Sequence, residues 1–287
     1  MKIFYKKSFS KIIKLLGPWL ALADNFYLLD IFFFLKSSMR RKVTVSMNRD
    51  LKISAIVDNR EELFRSKRIL TKEPDTIAWI DSLFLPNEVF FDVGANIGAF
   101  SLYAGKRVSG LRVFAFEPHC QNFAKLNENI NINGLNTNVV AYPIALDRRN
   151  SIATLGLSNI NAGFSGHQYN SDFDQRGFEF KPAFKQGCVG FTMDSLVFDY
   201  NLPNPNHIKI DVDGNELSVI QGAQKILSGK LLRSILIEIN LGGGIDSRRE
   251  EESKQIIGIL TSDYGFRILK VSRAGSDPYS HNYVFSR

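Results

Sequence analysis

The sequence predicts a doubly wound α/β fold, mostly parallel, with an antiparallel C-terminal edge. Three observations predict it. Apolar runs recur with helical stretches between them from Val89 to Phe266, the pattern of a parallel sheet covered on both faces. A glycine turn, Asp92-Val93-Gly94-Ala95-Asn96-Ile97-Gly98, directly follows the run Val89-Phe90-Phe91 and opens into a helix start at Ala99. The chain then closes on two further strand-like runs, Phe266 to Lys270 and Asn282 to Phe285, read as an antiparallel edge pair.

Taken in order, residues 43–60 alternate polar and apolar and predict a small hairpin. Phe64 to Phe84 reads as helix, interrupted near Glu73-Pro74, with Pro74 suited to the first position of a helix carrying Trp79 and Ile80. The run Arg112 to Phe116 predicts the second core strand and ends in Glu117. A polar helix follows from His119 to Asn133, stopped by Asn133-Gly134. Asn138 to Tyr142 gives a third strand, then Ile144-Ala145-Leu146-Asp147. Gly156 to Gly190, rich in Gly, Asn, Ser and Phe, breaks the alternation; length without periodicity predicts a functional loop or lid. His207 to Ile210 and Ile235 to Ile239 complete the parallel strands, ending near Asp211 and Glu238.

Glu117 follows the glycine turn at the end of the next strand, about 25 residues after Asp92, near the position of the ribose hydroxyl acceptor in nucleoside-binding α/β folds. A dinucleotide is disfavoured. Its fingerprint places a second glycine where this chain has Asn96 and a third where it has Ala99, so the amide of Asn96 stands where a phosphate needs open space. S-adenosylmethionine (SAM) has no phosphate, and its carboxylate suits the N–H groups at a helix start.

Composition limits the alternatives. The 287 residues suffice for one buried core and a small extension. Two distant cysteines, Cys120 and Cys188, match no metal or redox spacing, and the absence of a disulfide framework favours a reducing, cytoplasmic compartment. The net charge of +7 is carried by residues 1–45, with nine Lys and Arg against Asp24 and Asp30; the remainder balances at 27 basic and 27 acidic residues. A nucleic-acid footprint on the core is therefore disfavoured. The division expected is a basic amphipathic extension, 1–45, and a catalytic domain, 46–287. For the extension three readings stand side by side: peripheral contact with an anionic membrane, packing on the enzyme's own core, and a signal peptide ending at Ala21-Leu22-Ala23. A membrane-spanning helix is opposed by Asp24 and Asp30, which interrupt the long apolar run.

The ordered set DVGANIG (Asp92 to Gly98), FEP (Phe116 to Pro118), TMDSL (Thr192 to Leu196), IKIDVDGNE (Ile208 to Glu216) and LIEIN (Leu236 to Asn240) resembles the FkbM family of SAM-dependent methyltransferases. The resemblance covers roughly Glu73 to Glu238. Met193 and Asp213 depart from it, standing where the family is expected to carry Leu and Glu. It implies the Rossmann-like sheet of class I methyltransferases, and O-methylation of a hydroxyl on a saccharide or polyketide-like small molecule. Two alternatives use the same fold: an NAD-dependent oxidoreductase, and a non-catalytic binding module at a membrane surface.

Asp92, Glu117, Asp211 and Glu238 all end predicted strands, which places them together at the rim where the crevice opens. The cofactor set expected is Asp92, Gly94, Asn96, Gly98, Glu117 and Ala145: Glu117 on the ribose, Gly94, Asn96 and Gly98 around the methionine end, and Ala145 near adenine. Asp92 either organises the turn and the methionine amine or simply caps the turn. Asp211 is expected to orient or deprotonate the acceptor, with Lys209 and Glu238 around it; contact with the cofactor and support of the loop are the other readings of Asp211. Lys209 shares a strand face with Asp211 and needs a charge partner if buried; Asp92 and Glu238 are expected on its two neighbouring strands. The Asp211-x-Asp213-Gly214-x-Glu216 run is too short for a calcium loop, so no metal is expected. His207 reads as structural, His119 as a solvated loop residue, and His167 as a lid residue near the acceptor.

Overall fold

The computed structural model describes residues 30–31, 33–35, 41–46, 51–68, 73–241, 246–274 and 279–287. It divides the chain into two units, Met1–Arg41 and Lys42–Arg287. In the first, residues 30–31 and 33–35 are helical, and Ile31, Phe33, Phe34 and Leu35 are exposed. Most of the extension, including Ala21-Leu22-Ala23, lies outside the described residues.

The second unit is built on a seven-stranded sheet. Its parallel strands are β3 (Val89–Val93), β4 (Arg112–Phe116), β5 (Val139–Tyr142), β10 (His207–Ile210) and β11 (Ser234–Asn240). The edge is β12 (Arg267–Arg273) and β13 (Ser280–Ser286), with β13 antiparallel to both β11 and β12. The order is β12-β13-β11-β10-β3-β4-β5. From β3 the chain moves outward through β4 to β5, then returns to lay β10 on the other side of β3. The switch point, and with it the crevice, therefore lies between the carboxyl ends of β3 and β10.

Alternation along the strands fills both faces. Phe90, Val113, Ala115 and Leu236 pack on one side with Trp79, Ile80, Leu102 and Leu126; Phe91, Phe116, Ile208, Ile210, Ile235 and Ile237 pack on the other with Leu196, Val219 and Ile220. Burial on both faces is why these strands read as continuous apolar runs. The helices flanking the site are α1 (Arg60–Lys67), α2 (Pro74–Leu83), α3 (Ala99–Arg107) and α4 (Cys120–Ile132). Pro74 opens α2, and α4 stops at Asn133 with Gly134 at φ +69°, where the amide of Gly134 bonds back to Asn131.

The hairpin region forms a two-stranded sheet, β1 (Arg41–Ser46) and β2 (Lys52–Val57). The segment expected as a functional loop or lid, Gly156 to Gly190, begins and ends in strands. With β6 (Ala145–Leu146), the strands β7 (Ser151–Leu157), β8 (Gln168–Tyr169) and β9 (Phe184–Phe191) form a second sheet, ordered β6-β9-β7-β8. Glycines hid this from the hydrophobic pattern. A Cβ on Gly190 would lie 2.2 Å from the Tyr169 hydroxyl, so the strand position facing that ring admits no side chain.

Candidate active site

The glycine turn folds back on the second core strand: the amides of Gly94 and Ala95 both donate to the carbonyl of Phe116, at 2.9 and 3.1 Å. Gly94 has φ +82°, and a Cβ there would stand 1.8 Å from the carbonyl oxygen of Asp211. Glycine is thus required because the turn presses against the end of β10. This close approach joins the two halves of the site.

A cavity of about 350 Å³ opens over the carboxyl ends of the strands. Gly94, Asn96, Glu117, Ala145, Asp211 and Glu238 line it, so six of the nine expected site residues converge. Lys209 lines a smaller adjoining cavity, while Asp92 and Gly98 line neither. Asp92 is buried beneath the turn, where the Ser101 hydroxyl donates to it at 2.5 Å and burial raises its carboxyl despite the charge of Lys209. Gly98, at φ +92°, precedes α3, and a Cβ there would meet Leu126 at 2.5 Å; it lets α4 pack closely. Both residues support the turn instead of lining the cavity.

Glu117 accepts from the amides of Asn96 at 2.7 Å and His119 at 2.9 Å. Burial outweighs those donors and, with the nearby charge of Asp213, pushes its carboxyl up to about 7. Asn96, at φ +51°, bonds through its side chain to the Phe164 carbonyl at 2.9 Å.

On the other side of the crevice, Lys209 is almost wholly buried and donates to Asp211 at 2.8 Å. Burial would depress its ammonium, but the carboxylates of Asp211, Glu73 and Asp92 outweigh that and hold it above its ordinary value. Asp92 on β3 and Glu238 on β11 lie on its two neighbouring strands, as expected; its register partners there are Asp92 and Leu236. The register His207↔Ser234 carries Glu238 past the end of β10, beside the Asp211 level. There burial and the charge of Asp211 raise the Glu238 carboxyl well above the carboxylate range, although the Ser280 hydroxyl donates to it. Glu216 opens the next helix and accepts from the Gly214 amide at 3.0 Å. Among the described residues, no group of three His, Cys, Asp or Glu side chains is placed to hold a metal ion.

The roof is a strap, residues 158–168, tied to every side of the site. Asn122 accepts from the Gly163 amide at 2.7 Å and donates to Phe164 at 3.1 Å; the Gly166 amide donates to Asp213 at 2.7 Å; Arg65 donates to Gly163 and Ser165. His119, expected in solvent, is fully buried beneath it, with Nε2 at 3.2 Å from the Ile160 carbonyl. His167 does line the cavity; its Nδ1 accepts from the Ser158 amide at 3.2 Å, which leaves the proton on Nε2. That Nε2 is buried without a partner, and burial together with His119 pushes the imidazole down to about 4. His207 is structural: it bonds Ser234 and Glu88 at 2.7 and 2.8 Å and stacks on Phe84. Arg65, Asn122, Gln175 and Ser280 line the cavity without having been legible in the sequence, since no local pattern separates them from solvated polar residues.

The cavity fits SAM. Glu117 offers a carboxylate to a ribose, Ala145, Leu146, Leu155 and Tyr169 give an apolar wall for a purine, and the partnerless His167 Nε2–H lies in the same lining. Fold and site together are those of a class I, SAM-dependent methyltransferase. The family model for the Methyltransferase FkbM domain matches residues 92–268, and the chain belongs to this family of SAM-dependent enzymes. It is 27% identical to the hexuronic acid methyltransferase AglP of Haloferax volcanii, over 65% of this chain and 70% of that one. It is 26% identical to the methyltransferase sdnD of Sordaria araneosa, over 77% and 89%. A segment of 44 residues is 52% identical to the 31-O-demethyl-FK506 methyltransferase FkbM of Streptomyces tacrolimicus, covering 15% and 17% of the two chains. The crystal structure of methyltransferase FkbM from Methylobacillus flagellatus aligns with a TM-score of 0.49 at 15% identity, over 71% of this chain and 45% of that chain. This chain spans less than half of that protein.

Proposed function

We propose that the enzyme methylates a hydroxyl oxygen of a saccharide or a polyketide-like small molecule. The observation that carries this reading is the pair Asp211 and Glu238, two carboxylates on one cavity wall beside the glycine turn. Bound SAM supplies an electrophilic methyl group on a sulfonium. The protein must then hold the acceptor oxygen in line and remove its proton. Asp211, fixed by Lys209 at 2.8 Å, orients the hydroxyl. Glu238, beside Asp211 on the same wall, takes the proton as the oxygen–carbon bond forms and the sulfonium–carbon bond breaks. Lys209 is a positioning residue. Relatives named for a hexuronic acid and for a demethyl-FK506 support an oxygen acceptor.

The test is methyl transfer from ¹³C-methyl SAM to a panel of uronic acids, neutral saccharides and hydroxylated polyketides. The carbon shift of the product separates O-methyl from N-, C- and S-methyl. Asp211→Asn and Glu238→Gln are expected to lower turnover by about 10²–10⁴-fold while leaving S-adenosylhomocysteine affinity intact. Methyl transfer to nitrogen or carbon, or full activity in both variants, overturns the reading.

A further inference from the structure

Beside the main cavity lies a second of about 50 Å³, on the α3 side of the glycine turn. Gly94, Asn96, Asp211 and Arg65 line both. The rest of its wall includes Arg68, Glu73, Phe100 and Lys209. Arg65, Arg68 and Glu73 all precede residue 92, where the family match begins. We propose that the segment before the family domain completes the cofactor site: Arg65, with Arg68, holds the carboxylate of the methionine end of SAM, and Glu73 faces its ammonium. The inference rests on SAM being the cofactor and adds which residues grip its amino-acid end.

Size, charge and connectivity agree. The smaller cavity has room for a few water-sized groups, enough for an amino-acid head and too little for a saccharide ring. Its lining offers two guanidinium groups for a carboxylate and Glu73 for an ammonium. A nucleoside whose ribose meets Glu117 reaches this cavity by crossing Gly94 and Asn96, the residues common to both. Lys209 is not the carboxylate's partner, since Asp211 already pairs with it at 2.8 Å and the Phe100 ring covers it at 4.9 Å.

Arg65 is held ready for the task. Its Nε donates to the Gly163 carbonyl and its Nη2 to the Ser165 hydroxyl at 2.8 Å, and its side chain is 18% exposed. A guanidinium fixed before binding loses little freedom when the ligand arrives. Arg68 lies 4.6 Å over the Phe64 ring at the end of the same helix.

The experiment compares S-adenosylhomocysteine with 5′-methylthioadenosine, which lacks the amino-acid end, by calorimetry on the full chain. Arg65→Met is expected to weaken the first on the order of tenfold to a hundredfold, the scale of a charge-assisted hydrogen bond, and to leave the second unchanged. Arg65→Lys should recover part of the loss, keeping charge without the fork. Arg68→Met, which touches no strap bond, should show the same selective loss at smaller size and serves if Arg65→Met folds poorly. Equal weakening of both ligands means Arg65 acts only through the strap, and no weakening means the carboxylate is held elsewhere; either overturns the inference. If neither ligand binds the unaltered protein, the SAM reading itself fails.

Discussion

Glu117, which we propose as the ribose acceptor, sets stability against binding. Burial pushes its carboxyl up to about 7, opposing the charge with which it would accept a ribose hydroxyl. The sign follows from linkage. An acid whose folded value is raised contributes stability that is fully present below its unfolded value and lost as pH rises through about 7. Ligand binding runs the other way, because it draws on the carboxylate. Affinity for S-adenosylhomocysteine is therefore expected to fall about tenfold per pH unit below 7 and to level off above it. Glu117→Gln should bind weakly at every pH, without that slope, and melt higher than the wild type at pH 8; calorimetry and thermal melts check both. A pH-independent affinity in the unaltered protein would show that the carboxylate is not what meets the ligand. At this scale the sequence placed Glu117, Asp211 and Glu238 at strand ends, and all three line the cavity. Gly98, expected at the methionine end, lines neither cavity, and its demand for glycine is set by Leu126 on another helix. The sequence misread His119 as solvated, because its burial depends on a strap that its own neighbours do not announce.

Strands and helices were legible wherever period and caps agreed: Pro74 at a helix start, the Asn133-Gly134 stop, and strands buried on both faces. The strap was legible only as part of the loop or lid expected over Gly156 to Gly190; its ties were not, because backbone amides and carbonyls make most of them and these carry no side-chain signature. Gly163 donates to Asn122, Phe164 accepts from Asn96 and Asn122, and Gly166 donates to Asp213. These bonds close the roof with few apolar contacts, a construction that opens locally at lower cost than the sheet. Asn122→Ala removes two of the ties and leaves a buried amide at Gly163 without its acceptor, at a cost of about 1–3 kcal/mol. Hydrogen exchange should then quicken in residues 158–168 while β3 and β10 keep their protection, and saturating S-adenosylhomocysteine should restore much of the lost protection. Uniform acceleration across the sheet would mean the strap is part of the global fold and not a separately opening roof.

For the whole molecule, topology was the most legible property. A glycine turn, an acid at the end of the next strand and a second acidic cluster late in the chain suffice to imply a switch point, and β3 and β10 meet there. Charge distribution is the other whole-chain property, and it separates residues 1–45, with nine basic and two acidic residues, from a balanced remainder. Among the described residues no helix is long and apolar enough to cross a membrane. We propose that the basic segment holds the enzyme on an anionic membrane surface, where Ile31, Phe33, Phe34 and Leu35 present apolar side chains. Electrostatic attachment of that kind has a definite salt signature. The full chain should sediment with vesicles containing phosphatidylserine and not with phosphatidylcholine alone. It should be released as salt rises from about 0.1 M to about 1 M, where the screening length shrinks from about 10 Å to about 3 Å. Replacing Lys6, Lys7, Lys11 and Lys14 by Glu should abolish sedimentation while S-adenosylhomocysteine affinity persists, since the described residues that line the cofactor cavity all lie between Arg65 and Ser280. Binding to neutral vesicles as strong as to anionic ones, or none to either, would remove charge as the reason the segment is basic.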